Sequence, residues 1–216
     1  MLTSLAKYID YTNLSPAASK TDIEKLCAEA RTHGFAAVCI NPLWVRTAAD
    51  ALRNCPVAVC TVIGFPLGAT PNIVKLFEAQ RTLADGAKEL DMVINVAALK
   101  AGDHEGIKGD IAPLAQAAHA DDALLKVILE VALLSDEEIV RGCQWAEESG
   151  ADFVKTSTGT LKGEGTGATV HTVELMRASV SPAIGVKAAG GIRDRETAEA
   201  MIAAGATRIG TSTLLA

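Results

Sequence analysis

Aromatic residues are scarce in this sequence, at 4% of 216 residues, and basic residues give no surplus of charge. The 20 Lys and Arg residues stand against 26 Asp and Glu, for a formal net charge of −6. A protein that binds nucleic acid through its phosphates usually carries a basic patch or a basic run. Neither is visible in this composition, which therefore argues against a nucleic-acid partner.

Long apolar runs are also missing. None approaches the roughly 20 residues that span a bilayer, and residues 1–12 lack the apolar core of a signal peptide. The cysteines are odd in number and form no C-x-x-C pair; they lie at positions 27, 39, 55, 60 and 143. With four scattered histidines they give no metal-binding spacing. We therefore expect reduced thiols in a cytoplasmic protein, with no membrane contact and no dedicated metal site.

One local pattern recurs along the chain, in which a helical segment ends at a glycine and an apolar strand follows. It begins at Gly34, Gly86, Gly150 and Gly205, and glycine suits the left-handed position that closes a helix. The spacing Thr21 to Glu24 predicts one helix start, and the start signals also include Pro71, Ser135 with Glu138, and Asp194.

These signals predict eight strands that alternate with helices. The strands fall near residues 7–10, 36–41, 57–63, 88–95, 124–130, 152–157, 183–188 and 207–210. The helices fall near residues 21–33, 42–54, 71–85, 97–119, 135–149, 169–179 and 194–204. The alternation favours an α/β fold, a closed (β/α)₈ barrel that forms a single domain over residues 1–216. A doubly wound open sheet is the alternative, but the glycine-rich fingerprint expected after its first strand is missing.

Three of the apolar strands each contain one lysine, at Lys126, Lys155 and Lys187. Removing an ammonium group from water costs several kcal/mol, so a buried strand seldom carries lysine without a use for it. The alternation of apolar neighbours turns these lysines toward the barrel axis, together with Asp91 and Glu130. An isolated structural ion pair would explain any one of them. Five such groups together indicate an active site at the C-terminal ends of the strands.

The segments that hold these residues resemble the signature segments of the deoxyribose-phosphate aldolase family. The longest are ELDMVIN (89–95), LKVILE (125–130), DFVKTSTG (152–159) and GVKAAGGIR (185–193). Shorter matches are IDYT (9–12), CINP (39–42) and IGTS (209–212), so the resemblance runs nearly from end to end. It implies a (β/α)₈ class I aldolase that reversibly joins acetaldehyde to D-glyceraldehyde 3-phosphate, giving 2-deoxy-D-ribose 5-phosphate. It also implies that no metal or organic cofactor is needed.

By the same resemblance Lys155 is the Schiff-base lysine. An amine attacks a carbonyl only in its neutral form, and a nearby cation favours that form. Lys187, on the next strand and with the same inward parity, is the expected cation. Asp91 corresponds to the carboxylate that shuttles protons through water. We expect Lys126 to hold Asp91 ionised, although a purely structural ion pair fits it equally well.

We expect the phosphate of the substrate to bind at the ends of strands 6, 7 and 8, where barrels commonly hold phosphate. The residues implied are Gly159, Gly190, Gly191, Ser212 and Thr213. The glycine-rich loop 160–167 looks longer than its counterpart in the family, and Lys162 is expected to reach the phosphate from it; a solvated surface loop is the alternative. We expect a chain ending at Ala216, without the tail that some members fold over the site, to be slower but active.

Two other functions remain open on sequence grounds. One is a Schiff-base aldolase with a different donor or acceptor, and the other is a non-catalytic barrel that binds a sugar phosphate. The three inward lysines argue against the second, because phosphate binding alone needs no lysine in the core. The expected partners are a small sugar phosphate and aldehydes, and the expected assembly is a homodimer or a homotetramer.

Overall fold

A computed structural model of the chain describes residues 5–161, 163 and 165–213. Within these residues eight parallel strands form a closed barrel in the order β1 to β8, and β8 pairs with β1. The strands are β1 Ile9–Asn13, β2 Ala37–Ile40, β3 Ala58–Ile63, β4 Glu89–Val93, β5 Leu124–Ile128, β6 Phe153–Lys155, β7 Gly185–Ala189 and β8 Arg208–Thr211. The predicted (β/α)₈ barrel is confirmed, and no helix of the described residues is long and apolar enough to cross a membrane.

Helices cover the outside of the barrel. They are α1 Lys20–His33, α2 Val45–Ala51, α3 Asn72–Ala84, α4 Val96–Ala101, α5 His104–Ala120, α6 Asp136–Glu148, α7 Val170–Ser179 and α8 Arg195–Ala203. Short 3₁₀ helices occupy Leu5–Tyr8, Pro42–Trp44 and Val131–Leu133. The single helix predicted over residues 97–119 is in fact two helices, because Gly102 adopts the left-handed conformation and ends α4 before Asp103 caps α5.

The helix starts largely follow the sequence signals. Ser135 and Glu138 form the predicted capping box of α6, and the Asp194 side chain caps α8. The box predicted at Thr21 and Glu24 is wrong. Ser19 and Asp22 form it instead, so α1 begins at Lys20.

The two faces of each strand separate an apolar layer from a polar interior. Outward residues such as Leu90, Val127 and Val186 are fully buried against the helices. The inward residues of β4 to β8 include six charged side chains, where a barrel without a site there would carry layers of branched apolar residues. This arrangement positions several charged side chains around one point on the barrel axis.

Candidate active site

The three lysines predicted from the sequence lie on adjacent strands. Lys126 pairs with Phe153 in the β5–β6 register, and Lys155 pairs with Lys187 in the β6–β7 register. Asp91 pairs with Lys126 between β4 and β5. Since paired residues of a parallel sheet point to the same face, all four charged side chains enter the interior at neighbouring positions.

Asp91 is the centre of this cluster and is fully buried. Its Oδ2 accepts hydrogen bonds from Lys155 Nζ and from Lys187 Nζ, each at 2.7 Å. Its Oδ1 accepts from Lys126 Nζ at 2.8 Å and from the Cys60 thiol at 3.1 Å. Burial alone would raise the pKa of Asp91, but the three ammonium groups outweigh it and hold the pKa well below its ordinary value. Asp91 is therefore a carboxylate.

A second group of charges, which the sequence reasoning did not assign, lies beside Asp91. Asp10 on β1 accepts from Lys187 and, at 2.6 Å, from Arg208 on β8. Glu89 on β4 contacts Lys126 at 2.6 Å and Arg208 at 3.1 Å. Burial opposes the ionised form of Asp10, yet Lys187, Lys126 and Arg208 lower its pKa to about 2.

Glu89 stands two residues before Asp91, so the alternation along the strand predicts that it also faces inward. The sequence does not show which residues it contacts there. Asp10 could have been found from the same signal, since it stands between Ile9 and Tyr11 in a short strand. Arg208 gives a weaker signal, because it lies between Thr207 and Ile209. Glu130, by contrast, was placed in the central cluster and does not belong there. It lies two residues beyond the end of β5, has φ of 59° and accepts hydrogen bonds from the Thr158 amide and hydroxyl.

Phe153 closes the cluster on the side away from the pocket. A Cβ on Gly185 would lie 2.1 Å from the Phe153 ring, so this ring requires glycine at the paired position of β7. The Arg208 guanidinium lies 5.5 Å from the ring centroid and Lys126 Nζ lies 6.0 Å from it. The ring thus contributes cation–π contacts to two of the charges.

An open pocket of about 670 Å³ lies above Lys155, at the C-terminal ends of the strands. Lys155 lines it and is 3% exposed, whereas Lys126 and Lys187 are fully buried and do not line it. Tyr11 also lines the pocket and donates to Glu29 at 3.0 Å, and burial followed by this contact raises the Tyr11 pKa to about 12. Lys155 is thus the amine of the cluster that a ligand in this pocket can meet.

Four of the five residues predicted for the phosphate line the same pocket: Gly159, Gly190, Gly191 and Ser212. The three glycines have φ of 78°, 90° and 81°, a conformation that strains other residues. Thr213 is exposed beside them, and its amide donates to the Thr211 hydroxyl at 3.1 Å. Arg193, which the sequence reasoning left without a role, also lines the pocket and adds a cation there.

The loop between β6 and α7 packs against the glycine turn after β7. The Ala168 amide donates to the carbonyls of Ala189 and Gly190, each at 3.1 Å. A Cβ on Gly167 would lie 2.2 Å from the Gly190 carbonyl oxygen, so the two backbones approach closely. Lys162, which was predicted to reach the phosphate, lies outside the described residues.

Two sets of possible metal ligands occur within the cluster, although no sequence spacing indicates them. One is Cys39, Cys60 and Asp91, whose ligand atoms lie within 4.8 Å of one another; the other is Asp10, Cys60 and Glu89. Both oxygens of Asp91 already accept from lysine ammonium groups. A metal cation would therefore have to displace positive charge, so these residues do not fit a metal centre well.

Comparisons with known proteins agree with this geometry. The model of the DeoC/LacD family of aldolases matches residues 5–216. The deoxyribose-phosphate aldolase of Thermococcus kodakarensis is 59% identical over 210 residues, which cover 96% of this chain and 92% of that protein. That of Brevibacillus brevis is 56% identical over 209 residues, 97% of this chain and 92% of that protein. The tetrameric deoxyribose-phosphate aldolase of Aeropyrum pernix superposes with a TM-score of 0.88 at 37% identity, covering 96% of this chain and 86% of that one.

Proposed function

Because the chain belongs to the DeoC/LacD family of aldolases, we propose that Lys155 forms a Schiff base in the reversible cleavage of 2-deoxy-D-ribose 5-phosphate. The products are acetaldehyde and D-glyceraldehyde 3-phosphate, as in the catabolism of deoxyribose phosphate. One observation carries the assignment of Lys155 above all. Among the three lysines that contact Asp91, it alone lines the open pocket.

The charges of the cluster support the same assignment. Three carboxylates (Asp10, Glu89 and Asp91) face four basic groups (Lys126, Lys155, Lys187 and Arg208). Removal of one proton from this set balances its charge. Within the described residues Lys155 contacts a single carboxylate, whereas Lys187 contacts two and Lys126 three. Lys155 is therefore the lysine of the cluster with the fewest carboxylate partners.

Lys187 is the cation of the pair. Burial opposes its charge, but Asp10 and Asp91 raise its pKa far above the ordinary value for lysine. A fixed positive charge beside Lys155 favours the neutral amine and, with it, attack on a carbonyl. Lys126 likewise has a strongly raised pKa, because Asp91 and further acidic groups outweigh its burial. We assign to Lys126 the task of keeping Asp91 ionised.

Cleavage then follows from an electron sink on Lys155. The neutral amine adds to the C1 aldehyde of the sugar and water leaves, giving an iminium ion. The C3 hydroxyl loses its proton to Asp91 through a water, the C2–C3 bond breaks, and its electron pair enters the iminium as an enamine. D-Glyceraldehyde 3-phosphate departs. Protonation of the enamine carbon and addition of water release acetaldehyde and the free amine.

The phosphate of the substrate binds, in this proposal, at Gly159, Gly190, Gly191 and Ser212, with Thr213 at the edge. The bare backbone of three glycines lets an anion approach closely. Arg193 supplies charge at the same end of the pocket. The proposed phosphate site and Lys155 line the same pocket. A sugar phosphate bound at both would therefore have its C1 aldehyde at Lys155 and its phosphate at the glycine turns.

We also propose a cytoplasmic homodimer or homotetramer, as part of the same function. Leu43, Val74 and Phe77 line one groove and are exposed by 79%, 48% and 69%. Neighbouring exposed apolar side chains of this kind mark protein–protein contact sites. The groove also includes Arg81 and Asp85. Charges of both signs at one patch allow two copies to pair about a twofold axis. The tetrameric relative from Aeropyrum pernix supports the proposal that another copy of the chain covers this groove.

The test of the Schiff base is reduction with borohydride in the presence of acetaldehyde, followed by peptide mapping. We expect one ethyl adduct, on Lys155, in an enzyme that also cleaves 2-deoxyribose 5-phosphate. Lys155→Arg abolishes both, whereas Lys20→Arg, at an exposed lysine of α1, changes neither. An adduct mapped to Lys126 or Lys187 would show that the roles are assigned wrongly.

A further inference from the structure

Two cysteines of the barrel interior lie side by side and take no part in the proposed reaction. Cys39 on β2 and Cys60 on β3 are direct register partners. Both are buried and both belong to an inward apolar group with Ala37 and Val62. Their sulfur atoms lie within 4.8 Å of each other.

The backbone at this point suits a covalent link. Neighbouring strands are about 4.8 Å apart, and a disulfide requires Cα atoms about 4.4–6.8 Å apart with both Cβ atoms on the same side. Paired residues of a parallel sheet meet both conditions. Rotation of the two side chains can therefore bring the sulfurs together without breaking the β2–β3 pairing.

The polar contacts of Cys60 connect this pair to the candidate active site. Its thiol can donate to Asp91 Oδ1 at 3.1 Å or to the Cys39 sulfur, and it accepts from Lys126 Nζ at 3.3 Å. A hydrogen bond from Cys60 and the nearby Lys187 lower the pKa of Cys39, against the effect of burial. The Cys39 sulfur is thus the better nucleophile of the two.

We propose that Cys39 and Cys60 form a reversible disulfide, and that its formation changes the hydrogen bonding of Asp91. Hydrogen peroxide is the oxidant, because it is small enough to reach two buried sulfurs that do not line the open pocket. The Cys39 thiolate attacks one peroxide oxygen, the O–O bond breaks, and a sulfenic acid and hydroxide result. The Cys60 sulfur then attacks the Cys39 sulfur and displaces hydroxide, which takes the Cys60 proton. Two thiols are oxidised, and one peroxide is reduced to two waters.

The disulfide removes the only S–H hydrogen that Cys60 can offer to Asp91 and draws its sulfur toward Cys39. With free thiols, Asp91 Oδ1 accepts hydrogen bonds from Cys60 and from Lys126. After the disulfide forms, the bond from Lys126 remains. The proton shuttle of the proposed aldolase is thereby displaced, and its rate falls. This last step rests on the proposed function, whereas formation of the bond does not.

The test uses a variant in which Cys27, Cys55 and Cys143 are all serine, so that Cys39 and Cys60 are its two remaining cysteines. After treatment with limiting peroxide, the intact protein should be lighter by two hydrogen atoms. Once unfolded in denaturant, so that the two buried positions are accessible, it should no longer react with a thiol-alkylating reagent. Dithiothreitol should restore both thiols. Further replacement of Cys39 or of Cys60 by serine should abolish the mass loss, with circular dichroism to show that each variant is folded.

Wild-type protein gives an independent measurement if the multiple variant does not fold. Differential alkylation and peptide mapping should then show a Cys39–Cys60 linkage, and the loss of aldolase rate should equal the fraction of linked protein. Two free thiols after treatment would overturn the proposal, as would a stable sulfinic acid or a linkage of Cys27 to Cys55 alone. A product that gains one oxygen and loses two hydrogens would identify an N–O–S bridge from Lys126 to Cys60 instead. A linked protein with unchanged rate would show that the bond does not control Asp91.

Discussion

Lys155 and Lys187 are register partners on β6 and β7, and their ammonium nitrogens each lie 2.7 Å from the same oxygen, Asp91 Oδ2. The two groups therefore compete for one acceptor. Lys187 has a second carboxylate in Asp10, and Lys155 has none within the described part of the chain. The two lysines of the pair thus differ in their number of carboxylate partners, two for Lys187 and one for Lys155.

This arrangement predicts how Lys187→Leu will fail. The variant keeps the Lys155 amine but loses the positive charge that favours the neutral form, so both trapping and cleavage should be slow at neutral pH. Each tenfold loss of neutral amine corresponds to about 1.4 kcal/mol, and raising the pH should recover part of it. The measurement is the pH profile of borohydride trapping. A folded variant whose trapping is equally poor at every pH would refute the electrostatic role.

Acid should weaken the folded barrel through Asp10. Its pKa falls from 3.8 when unperturbed to about 2 in the folded chain, so its ionisation stabilises the folded state above pH 3.8 and this contribution is lost as the pH falls toward 2. The loss amounts to about 2 kcal/mol. Urea unfolding at several pH values should show the free-energy gap between wild type and Asp10→Asn narrowing by about this amount on acidification. A constant gap would contradict the assignment.

Ser212 tests the phosphate end of the pocket. Ser212→Asp places a negative charge where the phosphate should lie, and repulsion of about 1.4 kcal/mol or more should raise KM for 2-deoxyribose 5-phosphate at least tenfold. Unphosphorylated 2-deoxyribose should be affected much less. Ser212→Asn, similar in size but neutral, is the matched control. Equal losses on both substrates would indicate a folding defect rather than a lost phosphate site.

Glu130 and Thr158 should behave as one unit in stability. Glu130 is buried and accepts from both the amide and the hydroxyl of Thr158. Glu130→Gln and Thr158→Val should each lower the free energy of unfolding by about 1–3 kcal/mol. The glutamine of Glu130→Gln would accept a weaker, uncharged hydrogen bond, and the valine of Thr158→Val would donate none from its side chain. Because both changes weaken the same contact, the double variant should lose less than the sum. Thr158→Ser, which keeps the hydroxyl, should be milder. Strict additivity would mean that the hydrogen bond is not formed in solution.

The apolar groove predicts the assembly. If the proposed oligomer forms through this groove, Phe77→Glu should give monomers, measured by light scattering on a size-exclusion column, because it places a charge where apolar surface would be buried. Leu133→Glu, at a leucine that is 48% exposed and follows β5, is the control and should leave the assembly intact. An unchanged assembly in the Phe77 variant would place the interface elsewhere.

The central part of the site follows from strand alternation alone. Lys126, Lys187 and Asp91 each stand between apolar residues, and Lys155 follows Val154. These apolar neighbours must face the helices and so turn the charges inward. Alternation could not predict Glu130 correctly, because β5 ends at Ile128 and the backbone then takes a left-handed turn. Beyond that turn the two-residue period no longer applies.

The role of Arg208 was harder to infer for a different reason. Its partner Asp10 is 198 residues away, and the two meet because β8 closes on β1. A local pattern can show that a residue faces inward, but it cannot show which distant strand supplies the counter-charge. Cys60 was missed in a similar way, since its role depends on Asp91 and Lys126 across two strand pairings.

The ion pairs of Arg208 with Asp10 and Glu89 also affect when the barrel can fold during synthesis. On the ribosome, Asp10 and Glu89 emerge long before the guanidinium that they share. A nascent chain without β8 would have to bury both acids without that counter-charge, at a cost of several kcal/mol. The barrel should therefore resist premature closure and fold only once its last strand is available. Contacts of such long sequence separation form slowly, so the synthesis interval is when this chain most needs protection from aggregation.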